Sequence, residues 1–427
     1  MTDIKKKGSI SIFGAASLGV GSMVGAGIFA LLGEAGAIAG TATYLSFLLG
    51  GIVALSSGYS YAKLGSKFPS SGGVIEYLYQ GFGKNTISAT FSILFLLSTI
   101  ISMSMVSKTF GSYAGSLVTT DAPQWIENTF TSLIIVIFVF LNFVGSDMVS
   151  KAESVIVVIK LVILLTFMVV GLDYVNWSEF SSSSYPAATN VFGSLAITYF
   201  AYTGFSVITN TAGDMENPSK QLPRAIFLAI GFTMVLYIGL SIVVFGNLSV
   251  SDVIKYKETA LAEAAMPVFG AAGFVIIAIA ALLSTSSSLN ANMYSVLNMS
   301  EQESREGELS SIFIKKLWKQ GTDGLVVIGV VVLLMANFLD LTAIAFLGSI
   351  ATLFVTMLVH IGHYRIINKT QASKPGVLFA IFSNLTAIVL FLIYSIKQGQ
   401  TSVLIMISTL VLFCYVFENF YLKKKVQ

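Results

Sequence analysis

The chain has 427 residues, of which 55% are hydrophobic and 11% are charged, and its mean hydropathy is +0.84. Soluble proteins carry about 25% charged residues, so this composition excludes an ordinary soluble enzyme and indicates an integral membrane protein. The formal net charge is only +3. No basic domain with interleaved aromatic residues is present, and we therefore expect no nucleic-acid partner.

Apolar blocks of roughly the 20 residues needed to cross a hydrocarbon core recur along the chain. They predict an all-α integral membrane protein with about 12 transmembrane helices, and Asp340 alone marks the boundary between the ninth and tenth. The first block is too long for a cleaved signal peptide. The predicted spans are 10–35, 41–64, 86–115, 131–150, 152–172, 190–213, 223–246, 268–298, 323–340, 341–364, 376–396 and 402–422.

Lysine and arginine are distributed unequally between the two sides of the membrane. If the amino terminus is cytoplasmic, the opposite side holds only Lys255, Lys257 and Lys397 of the 24 basic residues. Cytoplasmic loops carry the excess of positive charge in membrane proteins. The distribution therefore predicts a multi-pass protein of the plasma membrane with both termini in the cytoplasm.

The first span contains "GVGSMVGAGIF" (residues 19–29), with four glycines in eleven positions. Each glycine costs roughly 0.8–1 kcal/mol relative to alanine inside a helix. One interpretation is a broken helix whose N–H groups at Gly25, Ala26 and Gly27 bind an anion, while carbonyls near Met23 bind a cation. The alternative is a close helix–helix contact through Gly21 and Gly25. The spacing alone favours neither.

The sixth span is also irregular, since "TYFAYTGFSVITN" places Gly204 and several hydroxyl groups mid-block. Interrupted segments five spans apart, at matching positions of two halves, indicate a transporter built from an inverted repeat. An odd number of spans in each repeat turns the second copy upside down relative to the first.

Lys160 lies near the middle of the fifth span in the apolar run "VIVVIKLVILL". A charged side chain at that depth costs at least about 2.5–3.5 kcal/mol and indicates a functional site, with snorkelling as the weaker alternative. Other polar residues lie near span ends. The sequence favours snorkelling for Lys108, an interfacial position over a proton relay for His360 and His363, and a solvated helix end over an outer vestibule for Glu34.

Enzyme motifs are missing from the sequence. It contains no HExxH, P-loop or G-x-S-x-G motif and no clustered carboxylates that could hold a metal. The single cysteine, Cys414, excludes an intrachain disulfide. We therefore expect no catalytic residues, no metal and no cofactor.

Four segments resemble the amino acid–polyamine–organocation transporter family. The glycine–small–two apolar–glycine–small–glycine–Ile–Phe signature of its first span matches Gly21–Phe29. The family's loop after span 2, span 6 with its exit loop, and span 8 are similar to residues 61–83, 200–226 and 281–296. Two departures are Asp214, where a glutamate is usual, and Ala26, which lacks the hydroxyl group found in many members.

The resemblance implies a LeuT-type fold, with two inverted repeats of five helices, two peripheral helices, and helices 1 and 6 unwound at mid-membrane. The implied domains are 1–172 (spans 1–5), 173–364 (spans 6–10) and 365–427 (spans 11–12 and the cytoplasmic tail). It also implies a substrate-binding set at Met23, Val24, Gly25, Ala26, Gly27, Phe200, Ala201, Tyr202 and Thr203, in which Phe200 is an aromatic gate. Lys160 matches a lysine that replaces sodium in sodium-independent members, with Gly21, Ser284 and Thr285 completing a coupling set.

The predicted function is secondary active transport of an amino acid, favouring neutral substrates because the predicted pocket contains no Asp or Glu. Transport is expected to be sodium-independent, as proton symport or as exchange, so the partners are an amino acid, the lipid bilayer and, for symport, protons. One alternative is an antiporter for cationic amino acids or polyamines. A different class of function, a substrate-sensing membrane receptor, also remains open.

Overall fold

The computed structural model describes residues 10–423 except 71, 120, 145–146, 182–183, 319–320 and 400. The amino-terminal lysines and the last four residues of the predicted tail lie outside this part of the chain. The helices in chain order are α1 (Ile12–Ala26), α2 (Ile28–Ala39), α3 (Thr43–Lys67), α4 (Val74–Phe82), α5 (Thr86–Val118), α6 (Gln124–Val144), α7 (Asp147–Gly171), α8 (Ala188–Gly193), α9 (Leu195–Tyr202), α10 (Ser206–Thr209), α11 (Pro218–Asn247), α12 (Val250–Lys255), α13 (Ala260–Glu263), α14 (Met266–Glu306), α15 (Asp323–Phe338), α16 (Leu341–Arg365), α17 (Ile367–Thr370), α18 (Lys374–Lys397) and α19 (Thr401–Lys423).

The remaining regular structure is short. Single 3₁₀ turns occur at Gly40–Ala42, Leu172–Tyr174, Trp177–Phe180, Thr203–Phe205, Ala212–Asp214 and Ser311–Phe313. A two-stranded antiparallel ribbon, β1 (Lys316–Trp318) and β2 (Gly321–Thr322), lies in the loop between α14 and α15.

Helix ends follow the local sequence. Ser11 accepts a hydrogen bond from the Gly14 N–H and begins α1, while Asn85 and Ser88 form a capping box that begins α5. Such caps satisfy N–H groups that have no partner in the first turn. Pro218 occupies the first turn of α11, where its missing N–H costs nothing.

Nine segments of the described chain are long and apolar enough to cross a membrane, by length and composition. Three shorter apolar helices, Ile12–Gly25, Asp323–Phe338 and Leu404–Asn419, lie where the first, ninth and twelfth spans were predicted. The all-helical membrane architecture is thus confirmed at this level, and the count of twelve spans stays a prediction.

The helices differ in how much of their surface is buried. The most apolar windows of α16 and α5 are 78% and 72% buried, against 28% for that of α6 and for the window within Val155–Tyr174. Helices α1 and α9 lie beside this centre: α1 packs on α11 and α14, and α9 on α3 and α16. The two irregular segments of the sequence therefore lie inside the bundle.

Candidate functional site

The first predicted span divides at Gly27. Helix α1 ends at Ala26, Gly27 has φ −78° and ψ −70°, and α2 begins at Ile28. The Gly27 N–H donates to the Met23 carbonyl at 2.7 Å, so it is paired in this conformation rather than free as the sequence suggested. The interruption is one residue long, and Gly25 and Ala26 are helical.

The sixth span is divided more extensively. Between α9 and α10 the chain forms a 3₁₀ turn at Thr203–Phe205, a feature that often marks a functional hinge when it interrupts a helix. Gly204 in this turn faces the first span so closely that a Cβ there would lie 2.6 Å from the Met23 nitrogen and 2.8 Å from Ser22 Oγ. The two irregular segments are therefore in direct contact.

Tyr237 of α11 joins the two segments. Its buried hydroxyl group lies 2.6 Å from the Met23 carbonyl oxygen and 3.3 Å from that of Ala201. A Cβ at Gly27 would lie 2.1 Å from the same hydroxyl. Sequence reasoning missed Tyr237 because it is an ordinary aromatic residue in an apolar helix, and only the packing of α11 on α1 shows its position.

A cavity of ≈ 60 Å³ opens beside the sixth-span turn. Its walls come from α1, α3, α5, α9, α10, α14 and α16. They carry hydroxyl, amide, aromatic and small apolar groups and no charged side chain. The lining residues are Ser22, Tyr61, Phe95, Ser98, Thr99, Ser102, Tyr199, Phe200, Ala201, Thr203, Gly204, Phe205, Ser206, Val207, Asn292, Ser295, Thr352 and Thr356.

Of the nine residues predicted to bind substrate, Phe200, Ala201 and Thr203 line this cavity. Met23, Val24 and Tyr202 are fully buried behind them. The Tyr202 hydroxyl group donates to the Phe47 carbonyl at 2.9 Å. The substrate-binding role of the nine residues stays a prediction.

Two of the glycines in the first span allow close packing. A Cβ at Gly25 would lie 2.6 Å from the Ser284 carbonyl oxygen and 2.4 Å from Ser288 Cβ, both on α14, and one at Gly19 would meet Ile208 at 2.4 Å. The alternative interpretation, a close helix–helix contact, therefore applies at Gly25. The partner helix there is α14, and glycines other than Gly21 and Gly25 also pack closely.

Lys160 is completely buried in α7, and its Nζ donates to the Gly21 carbonyl oxygen at 2.9 Å. Snorkelling is excluded in this structure, because the side chain reaches inward to α1. The Thr285 hydroxyl group donates to the Ala281 carbonyl within its own helix at 2.7 Å. Ser284 Oγ is buried without a hydrogen-bond partner among the described residues. The coupling role of this set stays a prediction.

The Glu34 side chain of α2 forms an ion pair with the loop after α12. Glu34 is 2% exposed and lies 3.2 Å from Lys257 Nζ, which follows α12. Thr342 at the start of α16 donates to Glu34 at 2.8 Å and accepts from Lys257 at 2.7 Å. The prediction of a solvated helix end for Glu34 is wrong, because the loop folds back over α2: a Cβ at Gly33 would lie 1.9 Å from the Lys257 carbonyl oxygen.

The structure also changes the positions predicted for three other polar residues near span ends. Lys108 is 7% exposed, and its Nζ lies 3.4 Å from the Ala336 carbonyl oxygen in the protein interior. His360 and His363 are both completely buried between α3, α16 and α18. Their predicted interfacial position is wrong because α16 is among the most enclosed helices.

Comparisons with known proteins extend over nearly the whole chain. A family model described as "Amino acid permease" matches residues 10–416. The chain is 36% identical over 405 residues to the inner membrane transport protein YbaT of Escherichia coli, covering 94% of each. It is 37% identical over 399 residues to the uncharacterized protein MJ0609 of Methanocaldococcus jannaschii, covering 92% of this chain and 90% of that one. It is 29% identical over 370 residues to the methylthioribose transporter of Bacillus subtilis, covering 81% and 78% respectively.

Proposed function

The chain belongs to the amino acid permease family of membrane transporters, and on this basis we propose that it is a secondary active transporter of neutral amino acids. It works by alternating access and does not require sodium. Family membership establishes transport rather than catalysis.

The chemistry of the cavity is the observation that supports a neutral substrate. Its lining contains no charged side chain, and a buried charge on a substrate would need an opposite charge or several hydrogen bonds. Ser102, Asn292, Ser295 and Thr352 bring hydroxyl and amide groups to the cavity lining. These groups favour a small, uncharged, polar side chain such as that of serine or threonine.

The amino acid backbone binds at the division between the first and sixth spans. Its carboxylate meets N–H groups at Gly25, Ala26 and Gly27, and its ammonium meets the carbonyls of Met23 and Ala201. In the present conformation the Tyr237 hydroxyl group occupies the space between those two carbonyls. Substrate binding therefore requires the hydroxyl to move or to share its acceptors. It also requires the Gly27 N–H to leave the Met23 carbonyl and the end of α1 at Gly25 and Ala26 to unwind.

Lys160 takes the place of a coupling cation. Its Nζ already donates to the Gly21 carbonyl. Ser284 of α14, whose hydroxyl group is buried without a hydrogen-bond partner among the described residues, is the proposed second partner. A fixed positive charge here makes sodium unnecessary. Proton symport and exchange are both compatible with this arrangement.

The proposed architecture has 5+5 inverted repeats, spans 1–5 within residues 1–172 and spans 6–10 within 173–364, with two peripheral spans in 365–427. Spans 1 and 6 unwind at mid-membrane when substrate binds. Both termini are cytoplasmic and the protein is in the cell membrane. The divided spans at Gly27 and Thr203–Phe205 support this division.

An antiporter of cationic amino acids or polyamines fits the cavity less well. A second ammonium or a guanidinium group would enter a cavity with no carboxylate, and Glu34 is paired with Lys257 in the outer closure. A sensing receptor differs from both kinds of transporter, because it would bind the ligand without moving it across the membrane.

A ligand screen on detergent-purified protein tests this proposal. The panel contains the twenty common amino acids, putrescine and methylthioribose, and the readout is thermal unfolding, because a ligand of the native state raises its apparent stability. We expect shifts for small neutral polar amino acids. Exchange of labelled threonine in sodium-free proteoliposomes then separates transport from sensing. Shifts confined to arginine, lysine and putrescine would refute the neutral substrate.

A further inference from the structure

A buried hydrogen-bond network connects the cavity to His360, a residue that the proposed transport mechanism does not use. Ser57 of α3 is its centre and is completely buried. Its Oγ lies 3.1 Å from His360 Nε2, 3.0 Å from Asn384 Nδ2 and 3.5 Å from Tyr199 Oη. Four helices, α3, α9, α16 and α18, contribute one side chain each.

Two members of this region open onto the cavity. Tyr199 and Thr356 both line it, and the Tyr199 hydroxyl group donates to Thr356 Oγ1 at 3.2 Å. A continuous path of hydroxyl groups therefore runs from the cavity through Tyr199 and Ser57 to the imidazole. Polar groups at this depth are costly unless they are satisfied, which makes such a path a functional feature of a membrane protein.

The bonding pattern leaves the imidazole able to accept a proton. Asn384 can only donate through its Nδ2, so Ser57 Oγ accepts there and its own proton is free to point at His360 Nε2. His360 Nδ1 and Asn384 Oδ1 are buried without a hydrogen-bond partner among the described residues. An orphaned buried group of this kind requires an explanation.

We propose that His360 is the proton-binding residue of the transport cycle and that Ser57 and Tyr199 deliver the proton from the cavity. The proposal deepens the transport of a neutral amino acid proposed above and rests on it. It assigns the coupling ion, which Lys160 leaves open, and it gives Lys160 a separate role as a tether of the first span.

The proton transfer balances along the path. A hydronium ion in the cavity protonates the Tyr199 hydroxyl oxygen and is left as water. Tyr199 passes its original proton to Ser57 Oγ, and the Ser57 O–H bond breaks as its proton bonds to His360 Nε2. Both hydroxyl groups end neutral, and the imidazole gains one positive charge. The reverse sequence releases the proton when the cavity faces the other side.

The surroundings of His360 determine how that charge is tolerated. Tyr61 of α3 lies with its ring edge-on, 6.1 Å between centroids, and Tyr199 lies on α9. The neighbouring titratable groups are His363, one turn along α16, and Lys63, whose charge acts on His363. Among the described residues no carboxylate contributes to the electrostatic environment of His360. A buried imidazolium without an opposite charge is disfavoured, which favours release of the proton.

His363 provides a matched control within the same helix. It is equally buried, but both of its nitrogens are occupied, Nδ1 by Ser60 at 2.7 Å and Nε2 by Thr370 at 2.9 Å. Neither Ser60 nor Thr370 lines the cavity. His363 thus has the structural role of a buried histidine without a path to the substrate.

The experiment uses purified full-length protein in proteoliposomes, with labelled L-threonine as probe and an inward proton gradient. Wild type should concentrate threonine and acidify the lumen, reported by a trapped pH-sensitive dye. His360→Gln should keep threonine exchange, which also shows that it is folded, and should lose at least about tenfold in gradient-driven accumulation, together with its pH dependence. His363→Gln should behave as wild type.

Ser57→Ala supplies a second variant that leaves the imidazole in place, and it should lose accumulation in the same way. The proposal is overturned if wild type exchanges threonine without concentrating it in a proton gradient, or if His360→Gln concentrates it with the wild-type pH profile. Equal losses in His360→Gln and His363→Gln would also overturn it, because they would indicate a structural role. If wild type neither binds nor exchanges any neutral amino acid, the proposed function itself fails, which distinguishes the two outcomes.

Discussion

Replacing Lys160 with methionine tests the proposed tether between α7 and α1. The lysine is completely buried, and its Nζ lies 2.9 Å from the Gly21 carbonyl oxygen. Methionine keeps an unbranched chain in that space, whereas alanine would leave a cavity that costs about 2–5 kcal/mol for a large buried side chain. Lys160→Met therefore removes the charge and the hydrogen bond with little loss of packing.

The expected magnitude follows from the bond that is lost. A hydrogen bond to a charged group contributes about 1.5–3 kcal/mol. Since about 1.4 kcal/mol corresponds to a factor of ten, losing it should lower the population of the transport-competent arrangement about 10- to 150-fold. Stability should change less, because removing a buried charge also removes its desolvation cost.

The assay is uptake and exchange of labelled threonine in proteoliposomes, with thermal unfolding measured on the same preparation. Lys108→Met is the matched control, because Lys108 is also buried and donates to a backbone carbonyl, that of Ala336, at 3.4 Å. We expect Lys160→Met to lose both uptake and exchange within the stated range, while Lys108→Met loses less than about threefold. Normal pH-dependent uptake by Lys160→Met would refute the reasoning.

Three other outcomes follow from the same contacts. In competition with labelled threonine for binding, unlabelled threonine should be at least about tenfold more effective than its isostere valine, because valine would leave the polar cavity groups unpaired. Equal competition by the two amino acids would contradict the proposed polar cavity. Gly27→Ala should lower threonine affinity, because its Cβ would lie 2.1 Å from the Tyr237 hydroxyl oxygen, and Tyr237→Phe in the same chain should restore part of the loss by removing that atom. Lys257→Met should weaken the outer closure at Glu34. A cysteine introduced at the buried Leu32 should then react several-fold faster with an impermeant maleimide. An unchanged rate would mean that the ion pair does not hold this side closed.

The packing of Gly25 changes how its substitution should be interpreted. A large side chain there would collide with the backbone of α14 at Ser284 as well as with any carboxylate site. Loss of binding in Gly25→Leu therefore supports the carboxylate site only if the variant keeps the wild-type unfolding temperature. Unchanged substrate affinity would still count against the site.

Much of the architecture was predictable because membrane-spanning helices have a strong local signal. Twenty consecutive apolar residues are needed to cross the bilayer, and each of the twelve predicted blocks contains an apolar helix in the structure. Glycines at 21, 25 and 27 and the hydroxyl-rich sixth span likewise marked the divided segments. Lys160 stood out for the same reason, since one charge in an apolar run needs no tertiary information to be noticed.

The polar residues at span ends were not predictable in this way. Glu34, His360 and His363 lie where sequence favours water or the interface, and their burial depends on which loop or helix covers them. Glu34 is enclosed because the loop after α12 folds over α2 and brings Lys257 to it. The histidines are enclosed because α3 and α18 pack on both sides of α16.

The sequence by itself determined that this chain crosses the membrane many times, where its helices are divided, and that one lysine lies among apolar residues. These are local properties, set by hydropathy and by the conformational preferences of glycine. Only the tertiary structure decided that Lys160 reaches Gly21, that Tyr237 spans the carbonyls of Met23 and Ala201, and that Ser57 connects His360 to the cavity. Each of these contacts joins helices far apart in the chain, and their meeting depends on how complete helices pack, which no single stretch of sequence records.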